Sequence, residues 1–133
     1  MATMIPVSVA TYKNPGILHW SLFIETEGVD KTIIQVLGAR QKYFPDIRRA
    51  PDARISDSLI ELLPLCRIDA SKIEVLKNIA YDTPIRNDLT DWSCQDYVLA
   101  VLDRLEEASI INTMDGNYIR RKEEVAAKRE SWL

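Results

Sequence analysis

The chain has 133 residues, 47% of them hydrophobic, which fits a single domain built around one hydrophobic core. Its 17 basic and 20 acidic side chains give a formal net charge of −3, so the molecule as a whole has no field that attracts nucleic acid or an anionic membrane surface. No apolar stretch approaches the roughly 18 residues of a membrane span, and the first residues lack the pattern of a signal peptide, which predicts a cytoplasmic protein.

The two cysteines and the single histidine limit the chemistry that the chain can carry. Cys66 and Cys94 form no CxxC motif and are too few for a disulfide scaffold, so we expect free thiols in a reducing compartment. With His19 as the only histidine, the chain is short of ligands for a structural zinc site, and we expect neither a metal nor another cofactor. The expected partner is a small-molecule or peptide substrate rather than nucleic acid.

Strand patterns dominate the first half of the chain. Residues 1–16 hold two prolines and end in Pro15-Gly16, which predicts an extended N-terminal arm. Residues 17–24 alternate between two faces in the manner of a strand, and residues 32–37 supply an antiparallel partner across a polar turn. Two further strands are predicted, at residues 43–49 and 59–68.

Helix signals dominate the second half. A serine followed three residues later by an acidic residue is the pattern of a capping box, and it occurs at Ser71 and at Ser93. Apolar residues then recur at helical spacing after each serine. The sequence therefore predicts helices over residues 72–80 and 94–108.

The last part of the chain reads as a turn and a charged tail. Asp115-Gly116-Asn117 is a turn sequence between two apolar pairs, which predicts a small hairpin over residues 110–119. Residues 120–133 carry charges of both signs and predict a solvated terminal helix. The chain is thus predicted to be a single α+β domain over residues 17–119, in which a small antiparallel sheet packs against helices, with a charged tail at 120–133.

A cysteine at a helix start is the residue that points to chemistry. If Ser93 caps the helix, Cys94 is its first residue, where free backbone N–H groups and the helix dipole stabilise a thiolate nucleophile. His19 replaces an apolar residue in the first predicted strand and can act as the base. Gln35 likewise interrupts an apolar face of the neighbouring strand, and its carbonyl can orient an imidazole. Trp92 precedes the helix and is the predicted substrate-binding residue.

Plainer interpretations of the same residues stay open. A cysteine on the apolar face of a helix commonly serves as a small core residue, and a single histidine in a strand commonly has a structural role. The order of short helix, loop, helix and hairpin at residues 110–119 also resembles a winged-helix DNA-binding domain. Against that class stand the negative net charge and the acidic character of the helix at residues 94–108.

Three short motifs carry a resemblance to a known family. They are His19-Trp20-Ser21-Leu22-Phe23-Ile24, Ile33-Ile34-Gln35-Val36-Leu37-Gly38 and Ser93-Cys94-Gln95-Asp96-Tyr97-Val98. Their order resembles the permuted branch of the NlpC/P60 (papain-like) superfamily, to which lecithin:retinol acyltransferase-like and PPPDE-like proteins belong. More narrowly, residues 17–112 are similar to small fungal proteins with an HW-hydrophobic strand, an LIHVxG-like strand and an NCQ-hydrophobic helix start.

The resemblance implies a papain-like arrangement and a cysteine-dependent hydrolase, acyltransferase or cyclising enzyme that acts on an amide, ester or thioester. Cys94 maps to the nucleophile, His19 to the base and Gln35 to the third polar position. The chain departs from the pattern at Gln35, where such proteins often have histidine, and at Ser93, where asparagine is common. Because an amide cannot supply charge to a forming imidazolium, the alternative is an inactive module that binds a small molecule or a protein partner.

Overall fold

A computed structural model describes residues 3–133, and within that range the chain forms one five-stranded sheet and three α-helices. The strands are β1 (Met4–Tyr12), β2 (His19–Ile24), β3 (Lys31–Leu37), β4 (Phe44–Ala50) and β5 (Leu59–Asp69). The helices are α1 (Ile73–Asp82), α2 (Cys94–Glu107) and α3 (Gly116–Ala126). Neighbouring strands are all antiparallel, in the order β4-β3-β2-β1-β5. The predicted α+β class is confirmed.

The larger hydrophobic core lies between one face of the sheet and the helices. The strand β2 contributes Trp20, Leu22 and Ile24 to it, and α2 contributes residues that include Val98, Val101 and Leu105. These positions recur every second residue in the strand and every three or four residues in the helix, as their sequence spacing predicts. The helix α2 is thereby held against the sheet.

The opposite face of the sheet carries a second, smaller cluster. It consists of Ala10, Phe23, Ile33 and Ala53, and a short 3-10 turn at Ala53–Ile55 supplies the last of these. Because side chains alternate along a strand, His19 shares this face with Phe23. Side chains of β2 are therefore buried on both faces of the sheet.

The predicted N-terminal arm is wrong for the residues that the structure describes, since Met4–Tyr12 is a strand inside the sheet, between β2 and β5. The apolar alternation of Ile5, Val7 and Val9, all buried, outweighs the presence of one proline. The Pro6 carbonyl still accepts a hydrogen bond from the Glu25 backbone N–H, at 3.0 Å. Residues 1 and 2 of the predicted arm lie outside the described residues.

The predicted hairpin over residues 110–119 is also wrong, because its second half belongs to α3. The Asp115 side chain accepts hydrogen bonds from the backbone N–H groups of Asn117 and Tyr118 and so caps this helix. An Asp-Gly pair suits a hairpin turn as well as a helix start, and burial of Tyr118 decides for the helix. Residues 110–119 therefore do not form the hairpin that the winged-helix interpretation requires.

The two predicted capping boxes have different outcomes. At α2 both reciprocal bonds form, since Ser93 accepts from the Gln95 backbone N–H and Asp96 accepts from the Ser93 backbone N–H. At α1 the cap residue is Lys72 and no side chain caps it, because the preceding Asp69 caps a 3-10 turn instead. Within residues 3–133, no helix combines the length and the apolar character needed to cross a membrane.

Candidate active site

A cleft of about 760 Å³ opens beside the start of α2, and His19, Gln35 and Cys94 all line it. The cleft runs from the second face of the sheet, where His19 lies, around the ends of β2 and β3 toward the first turn of α2. The structure therefore brings the three predicted catalytic residues to one cavity. They reach it from different faces of the sheet.

Hydrogen bonds join His19, Gln35 and a third residue, Asp46, in a line. The His19 Nε2 atom lies 2.7 Å from Gln35 Oε1, and Gln35 Nε2 donates to Asp46 Oδ2 at 2.7 Å. A carboxylate only accepts, so the Gln35 amide must turn its NH₂ group to Asp46 and its carbonyl to His19. The carbonyl accepts in turn from His19 Nε2–H, which leaves Nδ1 of the imidazole as the free acceptor.

Asp46 completes this line because β3 and β4 place it directly opposite Gln35. Arg48, two residues further on the same strand, donates to the same carboxylate oxygen at 2.9 Å. Burial opposes ionisation of Asp46, but the hydrogen bonds from Arg48 and Gln35 hold its pKa below the ordinary value. The carboxylate is thus charged at neutral pH. Sequence reasoning missed Asp46; the available signal was an acidic residue inside a predicted strand, but its partner depends on register.

The environment of His19 favours the neutral imidazole. Burial lowers its pKa below the ordinary 6.5, against the opposing effects of the Gln35 hydrogen bond and the Asp46 charge. The ring of Tyr12 packs beside it, with ring centroids 5.6 Å apart. A neutral imidazole with an unprotonated Nδ1 is the form that a general base requires.

Cys94 is the first residue of α2, as predicted, but its thiol is buried, with 3% of the residue exposed. Burial raises the pKa of Cys94 to about 11, although the backbone N–H groups of Trp20 and Gln95 act in the opposite direction. Desolvation therefore outweighs the helix N-terminus, and the thiol is protonated at neutral pH. This differs from the expectation of a stabilised thiolate.

The first turn of α2 is fastened to the residue that precedes His19. The Cys94 Sγ–H donates to the Leu18 carbonyl at 3.8 Å, and Gln95 Nε2 donates to the same oxygen at 2.9 Å. In the part of the chain that the structure describes, the partner of the thiol is this carbonyl and not the His19 ring. The backbones of Cys94 and His19 therefore lie close together in space, although their side chains are not hydrogen-bonded to each other.

Tyr43 lines the cleft in the place where Trp92 was expected. Trp92 lies outside the cleft and packs edge-on against Tyr43, with ring centroids 5.6 Å apart and an interplanar angle of 73°. Asn87 fixes the backbone of Tyr43 by accepting from its N–H at 2.9 Å and donating to its carbonyl at 3.0 Å. Burial raises the pKa of Tyr43, and proximity to Cys94 raises it further. Trp92 therefore supports the cleft wall from behind.

The C-terminal segment, residues 127–133, forms another wall of the cleft. Glu130 accepts from the Leu18 backbone N–H at 2.9 Å and from Gln95 Nε2 at 3.1 Å. Arg129 pairs with Asp96, and Trp132 lines the cleft itself. The predicted solvated terminal helix is correct only as far as Ala126, because the residues beyond it dock against the start of α2.

These features define an α+β protein with a buried thiol and a His–Gln–Asp line at one cleft. Residues 7–112 match DUF6540, described as a family of unknown function, and the chain belongs to this family. No curated protein and no solved structure matches the chain. Within residues 3–133 there is no group of three or more His, Cys, Asp or Glu side chains that could hold a metal ion.

Proposed function

We propose that this protein is a cysteine-dependent hydrolase or acyltransferase in which Cys94 is the nucleophile and His19 the base. The observation that carries the proposal is the His19–Gln35–Asp46 line at the cleft that Cys94 lines. A histidine with a structural role needs one hydrogen-bond partner. The tautomer of His19 is instead fixed through Gln35 by Asp46, a charged residue two hydrogen bonds away. That arrangement leaves Nδ1 free on the side of the imidazole away from Gln35.

In the proposed reaction the thiol gives up its hydrogen bond to the Leu18 carbonyl, the Cys94 side chain turns toward the His19 ring, and the thiol proton passes to Nδ1 of His19. The sulfur attacks the acyl carbonyl carbon, a C–S bond forms, and the carbonyl π electrons move to oxygen. The backbone N–H of Cys94, in the first turn of α2 and beside the Tyr43 hydroxyl, stabilises this oxyanion. The oxyanion then collapses, the leaving group takes the proton from His19, and a thioester remains on Cys94. Water or a second nucleophile resolves it, which gives hydrolysis or transfer.

Asp46 supplies the negative charge that the Gln35 amide lacks. When His19 becomes an imidazolium, Gln35 contributes only a dipole, but the carboxylate of Asp46 behind it contributes a negative charge, which Arg48 offsets in part. The charge acts at the distance of one side-chain amide, so the stabilisation is weaker than from a directly bonded carboxylate. The departure of Gln35 from the resembling family is thereby compensated in part.

Burial of the thiol favours a second candidate, a papain-like module that binds a ligand without reacting with it. Cys94 is 3% exposed, and its proton is engaged by the Leu18 carbonyl. In that case the cleft holds a small molecule or a peptide, and the sulfur is a core atom. The two candidates differ in whether an acyl group ever becomes attached to Cys94.

The test is acylation by p-nitrophenyl acetate, followed by intact-protein and peptide mass spectrometry. The proposal predicts a burst of p-nitrophenol and an acetyl group on Cys94, both lost in Cys94→Ser and kept in the matched control Cys66→Ser. The control thiol is disfavoured because burial raises the pKa of Cys66 to about 12. Absence of acetyl-Cys94 in the folded wild-type protein contradicts the proposal and favours the binding module.

A further inference from the structure

The cleft is positively charged although the chain is acidic overall. Its charged lining residues are Lys13, Arg40, Arg48 and Asp52. Asp46 neutralises Arg48, and Arg54 neutralises Asp52. Among the ion pairs of residues 3–133, none includes Lys13 or Arg40. Two cations without carboxylate partners therefore face the cavity.

Arg40 is held in position before any ligand arrives. Its Nε–H donates to the Thr90 carbonyl at 2.7 Å, and its guanidinium lies over the Trp132 ring, 5.9 Å from the centroid. Both contacts leave the terminal NH₂ groups free to bind a carboxylate in the two-pronged geometry that suits arginine. A cation that is already oriented loses little conformational freedom on binding.

Trp132 is fixed in turn by the surrounding chain. Its backbone N–H donates to Asp91 Oδ1 at 2.6 Å, and its ring packs on Gly16, where a Cβ atom would come within 2.5 Å of it. Gly16 has a φ of +88°, a conformation that few other residues adopt, so the close approach requires glycine. The indole Nε1–H of Trp132 is buried near the Tyr43 hydroxyl, and it acts to lower the pKa of Tyr43 against the effect of burial.

Apolar surface completes the cavity. Ile17, Ile33, Val36 and Ile55 line it together with the tyrosine rings. Low-dielectric walls strengthen the field of the cations at their edge. A ligand that suits this cavity has an apolar body and a negatively charged group.

We propose that the acyl substrate carries a carboxylate, which Arg40 binds with help from Lys13 while the scissile carbonyl lies at Cys94. This inference names the substrate class of the proposed function and rests on it for the chemistry, but not for the binding. It excludes a neutral lipid ester and a cationic peptide as preferred substrates.

The first test compares iodoacetate with iodoacetamide, which differ in charge and little in size. The alkylation rates of Cys94 and Cys66 are measured in the same sample, and the iodoacetate-to-iodoacetamide ratio at Cys94 is divided by the ratio at Cys66. We expect Arg40→Gln to lower this quotient about fivefold, which is the effect of one unit charge about 4 Å away in a water-like dielectric. Arg120→Gln, on the exposed side of α3, removes the same charge outside the cleft and should leave the quotient unchanged.

The second test needs no reactive thiol. Succinate and its neutral diamide are titrated into the protein, and the Trp132 indole N–H resonance is followed by NMR. Succinate should shift this resonance in the wild type and not in Arg40→Gln, whereas the diamide should shift it in neither. Equal responses to both compounds, or an unchanged quotient in Arg40→Gln, overturn the inference. Acylation of Cys94 without charge discrimination overturns the inference alone, and charge discrimination without acylation overturns the proposed function alone.

Discussion

Gln35 and Asp46 lie directly opposite each other on β3 and β4, and the Gln35 amide donates to the Asp46 carboxylate at 2.7 Å. This one hydrogen bond fixes which end of the Gln35 side chain faces His19, and hence which nitrogen of the imidazole carries the proton. The orientation of the proposed base, His19, thus depends on Asp46, which is two hydrogen bonds away from it.

Replacing Asp46 with asparagine should lower the pKa of His19 further. The negative charge of Asp46 raises the pKa of the imidazole, so removing the charge removes a contribution that opposes burial. NMR titration measures this directly, because His19 is the only histidine of the chain. Asp52→Asn is the matched control, since Asp52 also lines the cleft but pairs with Arg54. An unchanged or raised pKa of His19 in Asp46→Asn contradicts the account.

The stability of the protein should fall as the pH falls through the titration range of His19. Its folded pKa lies below 6.5, so in this window the unfolded chain binds a proton that the folded protein does not. The contribution of His19 to stability is fully present above about pH 6.5. It decreases toward the lower pKa that His19 has in the folded protein, and below that pKa it is constant. Urea unfolding at a series of pH values should show this slope in the wild type and a flatter profile in His19→Gln. Equal slopes in the wild type and His19→Gln would mean that burial does not oppose protonation of His19, which contradicts the prediction.

Loss of the α2 cap should affect both stability and the thiol. Ser93→Ala removes the oxygen that accepts from the Gln95 N–H, at a cost of about 1 kcal/mol and a lower melting temperature. Asp115→Ala removes the cap of α3 and should cost a similar amount. Iodoacetamide labelling of Cys94 should change in Ser93→Ala and stay the same in Asp115→Ala. Parallel changes in both variants would mean that the cap acts only through global stability.

The docked C-terminal segment should depend on Glu130. Glu130→Ala leaves the Leu18 N–H and one Gln95 donor without their acceptor, which costs about 1–3 kcal/mol in the free energy of unfolding. Glu130→Gln keeps an acceptor oxygen and should lose less. Hydrogen exchange at the Leu18 amide should accelerate in Glu130→Ala more than in Glu130→Gln. If neither variant changes this exchange, the segment does not hold the start of β2.

Residue patterns predicted the four strands after Gly16 to within about two residues, because apolar alternation and turn residues act locally. They failed for β1, where Pro6 and Pro15-Gly16 suggested an arm although Ile5, Val7 and Val9 alternate. They failed again at α3, because Asp-Gly starts a helix as readily as it makes a hairpin, and only the burial of Tyr118 distinguishes the two.

The candidate site could be predicted only where a polar residue interrupts an apolar pattern. His19 and Gln35 do so, and they are hydrogen-bonded as their adjacent strands suggest. Asp46 could not be found this way, because its role depends on the register of β3 against β4. Trp92 lies two residues before Cys94 in the sequence, but in space it packs behind Tyr43. Trp132 reaches the cleft only because the C-terminal segment folds back. Such long-range placement is a property of the packed chain.

The most direct test of the account is whether His19 controls the reactivity of Cys94. Iodoacetamide labelling of both thiols is followed by peptide mass spectrometry across pH, in the wild type and in His19→Ala. We expect Cys94 to react faster than Cys66 at neutral pH, with a rate that levels off above the pKa of His19. In His19→Ala the Cys94 rate should be low and rise tenfold per pH unit toward the thiol pKa of about 11. Identical Cys94 profiles in the two proteins would contradict the account.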